Sequence, residues 1–212
     1  MCNSISFSNC YDFVMQGLEK SHLHARRSRL LKGLTGSVLE IGVGTGVNFE
    51  HYNNSVQVIG IEPSSGMLQL AKKKREKSLA GTQIQLLNVG WEDPTLLQLI
   101  APESLDAIVC TLVMCTIPAP EKAVAQFSQW LKPHGKLILL EHIQSPRSVP
   151  AALQQFINPL WRKLAAGCNL TRKSDQLAEL AGFKILEKSY FMYGISFVEA
   201  TYQKEVSTLS TL

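Results

Sequence analysis

Glycines 42, 44 and 46 follow the apolar run Val38-Leu39-Glu40-Ile41, so three residues without a Cβ stand at alternate positions. A strand that breaks into such a loop presents backbone N–H groups to a ligand at the carboxyl edge of an open sheet. The dinucleotide fingerprint G-x-G-x-x-G needs its third glycine at position 47, where this chain has Val47. Glu40, two residues before Gly42, repels phosphate and suits a cation such as an ammonium group. The ligand described by these residues is cationic and carries no phosphate. The plain alternative is a tight turn that binds nothing.

A second acid, Glu62, ends the next apolar run about 20 residues on, where a carboxylate accepts both hydroxyls of a ribose. A ribonucleoside bearing an amino-acid cation, S-adenosylmethionine, meets both conditions. Pro63 and Met67 follow Glu62 at a spacing that lays the thioether against a purine, although Met67 also reads as a core residue of a helix face. At the end of the third apolar run stand Trp91, Glu92 and Asp93. An acid there accepts from an exocyclic amine, or caps the next helix. With Asn48 and Thr111 the expected cofactor set is Glu40, Gly42, Gly44, Gly46, Asn48, Glu62, Pro63, Met67, Trp91, Glu92 and Thr111.

In such a sheet the second substrate lies beyond the carboxyl ends of the strands. His142 is the candidate base, since imidazole titrates in the useful range, against a structural histidine at a strand end. Tyr11 and Asp12 are candidates for a lid, or simply begin a helix. Cys115 and Cys168 read as nucleophile-adjacent or metalloid-binding thiols, or as small buried residues. Asn169 with Arg172 could hold a polar head group or cap a helix.

The elements that must position these groups alternate. Strands are predicted over 37–42, 56–62, 82–89, 105–113 and 136–143, with helices over 63–78, 93–101 and 120–131 and room for a short one at 47–52. That rhythm predicts right-handed crossovers and a doubly wound, mostly parallel α/β sheet. A helical lead-in or lid precedes it (1–36), and a proline-punctuated acceptor-side insertion follows (144–170), with a helix near 151–166 and another over 171–182. Phe156, Ile157, Leu160, Trp161 and Leu164 give the insertion an apolar face, read as core packing or as the wall of a greasy pocket. Two final runs, 183–193 and 196–203, suit an antiparallel edge pair, and all 212 residues are expected to form one domain.

Composition narrows the class. The net charge of +4 is mild, and the basic runs 22–29 and 72–77 lack interleaved aromatics, so no nucleic acid is expected as a partner. Both runs read as solvated helix faces. The five cysteines include no C-x-x-C pair and no ordered spacing with histidine, so neither a disulfide scaffold nor a metal site is expected, and a cytoplasmic location fits. No signal peptide or membrane span is read from the sequence. Trp161 beside Arg162 and Lys163 suits peripheral contact with a membrane.

Taken together, "VLEIGVGTG", "IGIEPSSGML", "SLDAIVCTLVMCTIP" and "WLKPHGKLILLEH" resemble, in order and spacing, the four motifs of the class I S-adenosylmethionine-dependent methyltransferases. The resemblance runs over about residues 10–203 and implies a Rossmann-like, seven-stranded sheet with helices on both faces and S-adenosylmethionine as the cofactor. His134 departs from it, standing where a glycine is usual. Within that superfamily the chain resembles the ubiquinone-biosynthesis-type group and its phospholipid N-methyltransferase and thiol S-methyltransferase relatives, and "GTGVNFEHY", "LEH" and "GCNLTR" resemble the animal membrane-associated thiol methyltransferases. The implied reaction moves a methyl group to N, S or O of a small or lipid-like acceptor by in-line displacement. The alternatives are a nucleic-acid methyltransferase, disfavoured because "TLVMCTIP" lacks the paired proline and aromatic that grip a flipped base, and a non-catalytic binding protein of the same fold.

Overall fold

Runs of Val, Ile and Leu that are apolar at every position must be covered on both faces, which places them in the middle of a sheet flanked by helices. Ala107–Cys110 is such an apolar, buried run, and the strand that contains it, Leu105–Thr111, is the central one of the computed structural model, which describes residues 22–77 and 83–205. Tyr11, Asp12, Cys2 and Cys10 lie outside the described residues. Among the described residues the elements in chain order are α1 (His24–Leu31), β1 (Gly36–Ile41), β2 (Val56–Ile61), α2 (Ser65–Lys77), β3 (Gln83–Leu87), α3 (Pro94–Leu99), β4 (Leu105–Thr111), α4 (Pro120–Trp130), β5 (Leu131–Ile143), α5 (Ser148–Leu164), α6 (Ser174–Leu180), β6 (Phe183–Tyr193) and β7 (Ile195–Lys204), with a 3-10 turn at Phe49–His51.

The seven strands form one sheet in the order β3-β2-β1-β4-β5-β7-β6. β1 to β5 run parallel, and β7 inserts antiparallel between β5 and the edge strand β6. The order reverses between β1 and β4, where an open α/β sheet makes its ligand crevice. Alternate residues of each strand serve two cores. Leu39, Ile41, Ile108, Leu137 and Leu139 pack with Leu96, Phe127, Trp130 and Ala178 of α3, α4 and α6. Val38, Ala107, Val109 and Ile138 pack on the other face with Leu31 of α1 and Leu68 and Ala71 of α2.

Three expectations change. The basic run at 22–29 is not a solvated face: Arg26 stacks 3.7 Å over the Phe191 ring and bonds Glu199 at 2.7 Å, Arg29 reaches the same carboxylate, and Arg27 is buried. A long guanidinium side chain on a helix laid against the sheet finds partners that local periodicity does not show. The run at 72–76 stays largely exposed, as expected. The apolar face of α5 is not core. Phe156 is 84% exposed, and Val149, Leu153, Leu160 and Leu164 are exposed beside it, because the helix stands off the sheet and buries only Gln154. Gln154 bonds the Ser145 N–H and the Ile143 carbonyl, tying α5 to the end of β5. The Lys132-Pro133-His134-Gly135 turn is absorbed into β5, with His134 at φ +64° in the left-handed region that favours glycine.

Candidate active site

Two clusters lie at the carboxyl edge of the sheet, one on each side of β4. The first is built on the loop after β1. Gly42, Gly44 and Gly46 have φ of +67°, +57° and +81°, which a side chain adopts only under strain. A Cβ at Gly42 would meet Val113 at 2.4 Å and one at Gly46 would meet Phe49 at 2.5 Å, whereas one at Gly44 would meet nothing within 4 Å. The outer two glycines therefore let the loop pack down, and the middle one keeps open space in front of it.

Beside Gly44 stands Glu62, at the end of β2. Its Oε2 accepts from the Gly44 N–H at 3.0 Å and its Oε1 from the Ser64 N–H at 2.8 Å. A carboxylate offers about four acceptor positions, so roughly two stay available on this fixed group. Burial pushes the Glu62 carboxyl above its usual range, against the two N–H groups that hold it down. Asn88, which sequence reasoning missed, fixes the backbone there by donating to the Glu62 and Pro63 carbonyls.

Glu40 lies beneath this loop. Asn48 Nδ2 donates to Oε1 at 2.8 Å and the Tyr52 hydroxyl to Oε2 at 2.9 Å, and the carboxylate is buried. Arg27 bridges the cluster, its Nη1 donating to Asn48 Oδ1 at 2.7 Å and to Thr111 Oγ1 at 2.8 Å. Burial raises the Glu40 pKa, while Asn48, Tyr52 and the Arg27 charge lower it. Three expected cofactor residues, Glu40, Asn48 and Thr111, are thus brought together with two that the sequence did not single out, Arg27 and Tyr52.

Of the remaining expected set, Pro63 is exposed and Met67 half-buried at the start of α2. Trp91 packs its ring edge-on to Phe127 at 6.5 Å, and its buried Nε1 has no partner among the described residues. Glu92 is exposed, and Asp93 caps α3 through the Thr95 N–H at 2.8 Å. A cavity of about 220 Å³ lined by Leu34, Asp106, Lys132 and His134 is at the opposite, amino-terminal end of the strands.

The second cluster gathers Cys115, Glu141, His142 and Cys168. Glu141 Oε1 accepts from the Val113 and Met114 N–H groups at 2.8 and 2.9 Å, and burial pushes this carboxyl up to about 7. His142 Nε2 is 3.1 Å from Cys168 Sγ. Burial alone would lower the imidazole pKa, but contact with Cys168 raises it, and the Cys168 thiol is lowered by hydrogen bonds from Cys115 and His142. Asn169 and Arg172 serve the loops: Asn169 caps the turn at Thr171, and Arg172 donates to the Ile117 carbonyl at 3.1 Å.

The open space at Gly44, the fixed Glu62 acceptor and the orphaned Trp91 Nε1 fit a ribonucleoside ligand that supplies hydroxyl donors and ring acceptors. Comparison with known proteins agrees. A methyltransferase domain family matches residues 39–139. The chain is 32% identical over 156 residues to a rat thiol S-methyltransferase, TMT1B, covering 72% of this chain and 63% of that protein. It is 30% identical over 172 residues to an uncharacterised methyltransferase of Bacillus cereus, covering 73% of this chain and 74% of the relative. An O-methyltransferase family protein from Burkholderia thailandensis shares the fold, with a TM-score of 0.70 at 13% identity over 94% of this chain and 60% of its own. The glycine loop, the β3-β2-β1-β4-β5-β7-β6 sheet and these relatives place the chain in the class I S-adenosylmethionine-dependent methyltransferases.

Proposed function

We propose that the chain transfers a methyl group from S-adenosylmethionine to a small, lipophilic acceptor, with a thiol sulfur as the favoured nucleophile. The observation that carries the donor half is Glu62, held by the Gly44 and Ser64 N–H groups beside the open space at Gly44. The thiol S-methyltransferase relative and the His142–Cys168 pair at the acceptor edge support the nucleophile. When bound, the donor supplies an electrophilic methyl carbon on a sulfonium. The protein's task is to align it with the acceptor and keep water out.

Donor binding is the first test. S-adenosylhomocysteine should raise the melting temperature in a saturable, concentration-dependent way while NAD leaves it unchanged. No shift at millimolar S-adenosylhomocysteine, or an equal shift with NAD, contradicts the reading. Gly44 gives a sharper version. Gly44→Ala places a Cβ in the open space and should weaken S-adenosylhomocysteine at least about tenfold, while lowering stability by about 1–2 kcal/mol through its positive φ. Calorimetric titration beside a thermal melt separates the two effects.

The acceptor reaches the site, in this reading, from an anionic bilayer surface. Val149, Leu153, Phe156, Leu160 and Leu164 recur at helical spacing along the exposed face of α5, whose last turn carries Arg162 and Lys163. None of the described helices is long and apolar enough to cross a membrane, so contact through α5 would be peripheral. The chain should sediment with anionic vesicles more than with zwitterionic ones, and Phe156→Glu with Leu160→Glu should abolish that binding without lowering the melting temperature. Equal partitioning of the variant assigns the face another role.

A further inference from the structure

We propose that Cys115, His142 and Cys168 form a three-ligand site for Zn²⁺, with a fourth position open to the acceptor's sulfur. One ligand atom from each residue lies within 4.8 Å of the other two, and His142 Nε2 is already 3.1 Å from Cys168 Sγ. Tetrahedral zinc with bonds of about 2.0–2.3 Å needs ligand separations of roughly 3.6–3.8 Å, so side-chain adjustment alone closes the site. Two thiols and an imidazole are a nitrogen–sulfur set that selects zinc over magnesium or calcium.

The residues come from three separate segments that the backbone holds together. Cys115 is in the loop after β4, His142 is near the end of β5, and Cys168 is in the loop after α5. The two loops are joined by a hydrogen bond from the Asn169 N–H to the Cys115 carbonyl at 3.0 Å, and Leu170 N–H donates to Asn158 Oδ1 at 2.8 Å. Leu112, three residues before Cys115, and Ala166, two before Cys168, have φ of +55° and +48°. Strain of about 1–3 kcal/mol at each is held where geometry matters more than stability. Two neighbouring buried atoms, His142 Nδ1 and Glu141 Oε2, have no hydrogen-bond partner among the described residues, so the cluster is polar but incomplete.

Three protein ligands leave zinc one open position, the arrangement of catalytic rather than structural sites. An acceptor thiol entering that position loses its S–H proton to solvent on coordination. Its sulfur then forms the new S–CH₃ bond as the donor's sulfonium–CH₃ bond breaks, leaving a thioether and S-adenosylhomocysteine, with no change in oxidation state. This role rests on the thiol-acceptor reading above; the metal site does not.

The test uses the reduced, metal-free chain titrated anaerobically with Co²⁺, with no donor or acceptor present. One equivalent should produce a thiolate-to-cobalt charge-transfer band and tetrahedral d–d bands, both removed by Zn²⁺. Cys168→Ser and, separately, His142→Ala should weaken binding by about 100-fold or more, and Cys110→Ala, a buried thiol outside the cluster, should leave the spectrum unchanged. No charge-transfer band at millimolar Co²⁺, or an undiminished one in folded Cys168→Ser, overturns the site. Zinc removal should then abolish thiol methylation while S-adenosylhomocysteine affinity is unchanged. Full thiol methylation by zinc-free protein overturns the acceptor role.

Discussion

Glu62→Gln should weaken S-adenosylhomocysteine binding by about 100-fold while leaving the fold intact. Two charge-assisted hydrogen bonds from a ribose diol to one carboxylate are each worth about 1.5–3 kcal/mol, and about 2.7 kcal/mol in total is already 100-fold. The amide also replaces one oxygen with an N–H₂ group, which cannot accept from the Gly44 or Ser64 N–H. Stability should change little, because the lost N–H bond is offset by relief of the cost of burying a charge. The raised pKa means that the folded protein disfavours the charged form of Glu62. Such a group adds stability below its unfolded pKa and withdraws it as pH rises, so neutralising it at pH 7 relieves a cost. Calorimetric titration and a thermal melt on the same variant check both halves. Affinity within threefold of the parent contradicts the assignment of Glu62.

Arg27→Leu has the largest expected effect on stability. The guanidinium is 2% exposed, spans Asn48 and Thr111, and supplies the positive charge that faces buried Glu40. Removing one partner of a buried charge pair costs about 3–5 kcal/mol, which for a chain of this size lowers the melting temperature by roughly 6–20 °C. Lysine should not rescue it, because a compact, strongly hydrated ammonium costs more to bury than the guanidinium whose Nη1 bonds both acceptors. Adding Glu40→Gln to Arg27→Leu should recover part of the loss, since the uncompensated charge is then gone, and a double-mutant cycle reads the coupling. A loss below about 1 kcal/mol in the single variant would show that the cluster does not depend on Arg27.

The parallel sheet was legible because strands buried on both faces leave continuous apolar runs, as in 107–110, and because glycine and proline punctuate them. That Glu62 meets the glycine loop was legible because the pattern is local: three alternate glycines and an acid at the next strand end. Arg27 was not, since a helix residue that reaches Thr111 across 84 positions looks like any other member of a basic run. Cys115, His142 and Cys168 were each singled out, but their meeting was hidden for the same reason, since they stand 27 and 26 residues apart with no motif spacing. The face of α5 misled in another way. Apolar periodicity marks a stripe that wants cover, and it does not distinguish a sheet from some other partner; in the fold the stripe is exposed.

The most direct measurement of the central claim is transfer of a labelled methyl group from S-adenosylmethionine to a panel of lipophilic thiols, amines and phenols of matched size, with products identified by mass spectrometry. The account predicts a labelled thioether formed in step with S-adenosylhomocysteine, strongly reduced in Glu62→Gln at sub-saturating donor. Tight binding of S-adenosylhomocysteine with no label on any acceptor would contradict it, and label confined to amines or phenols would refute the thiol assignment.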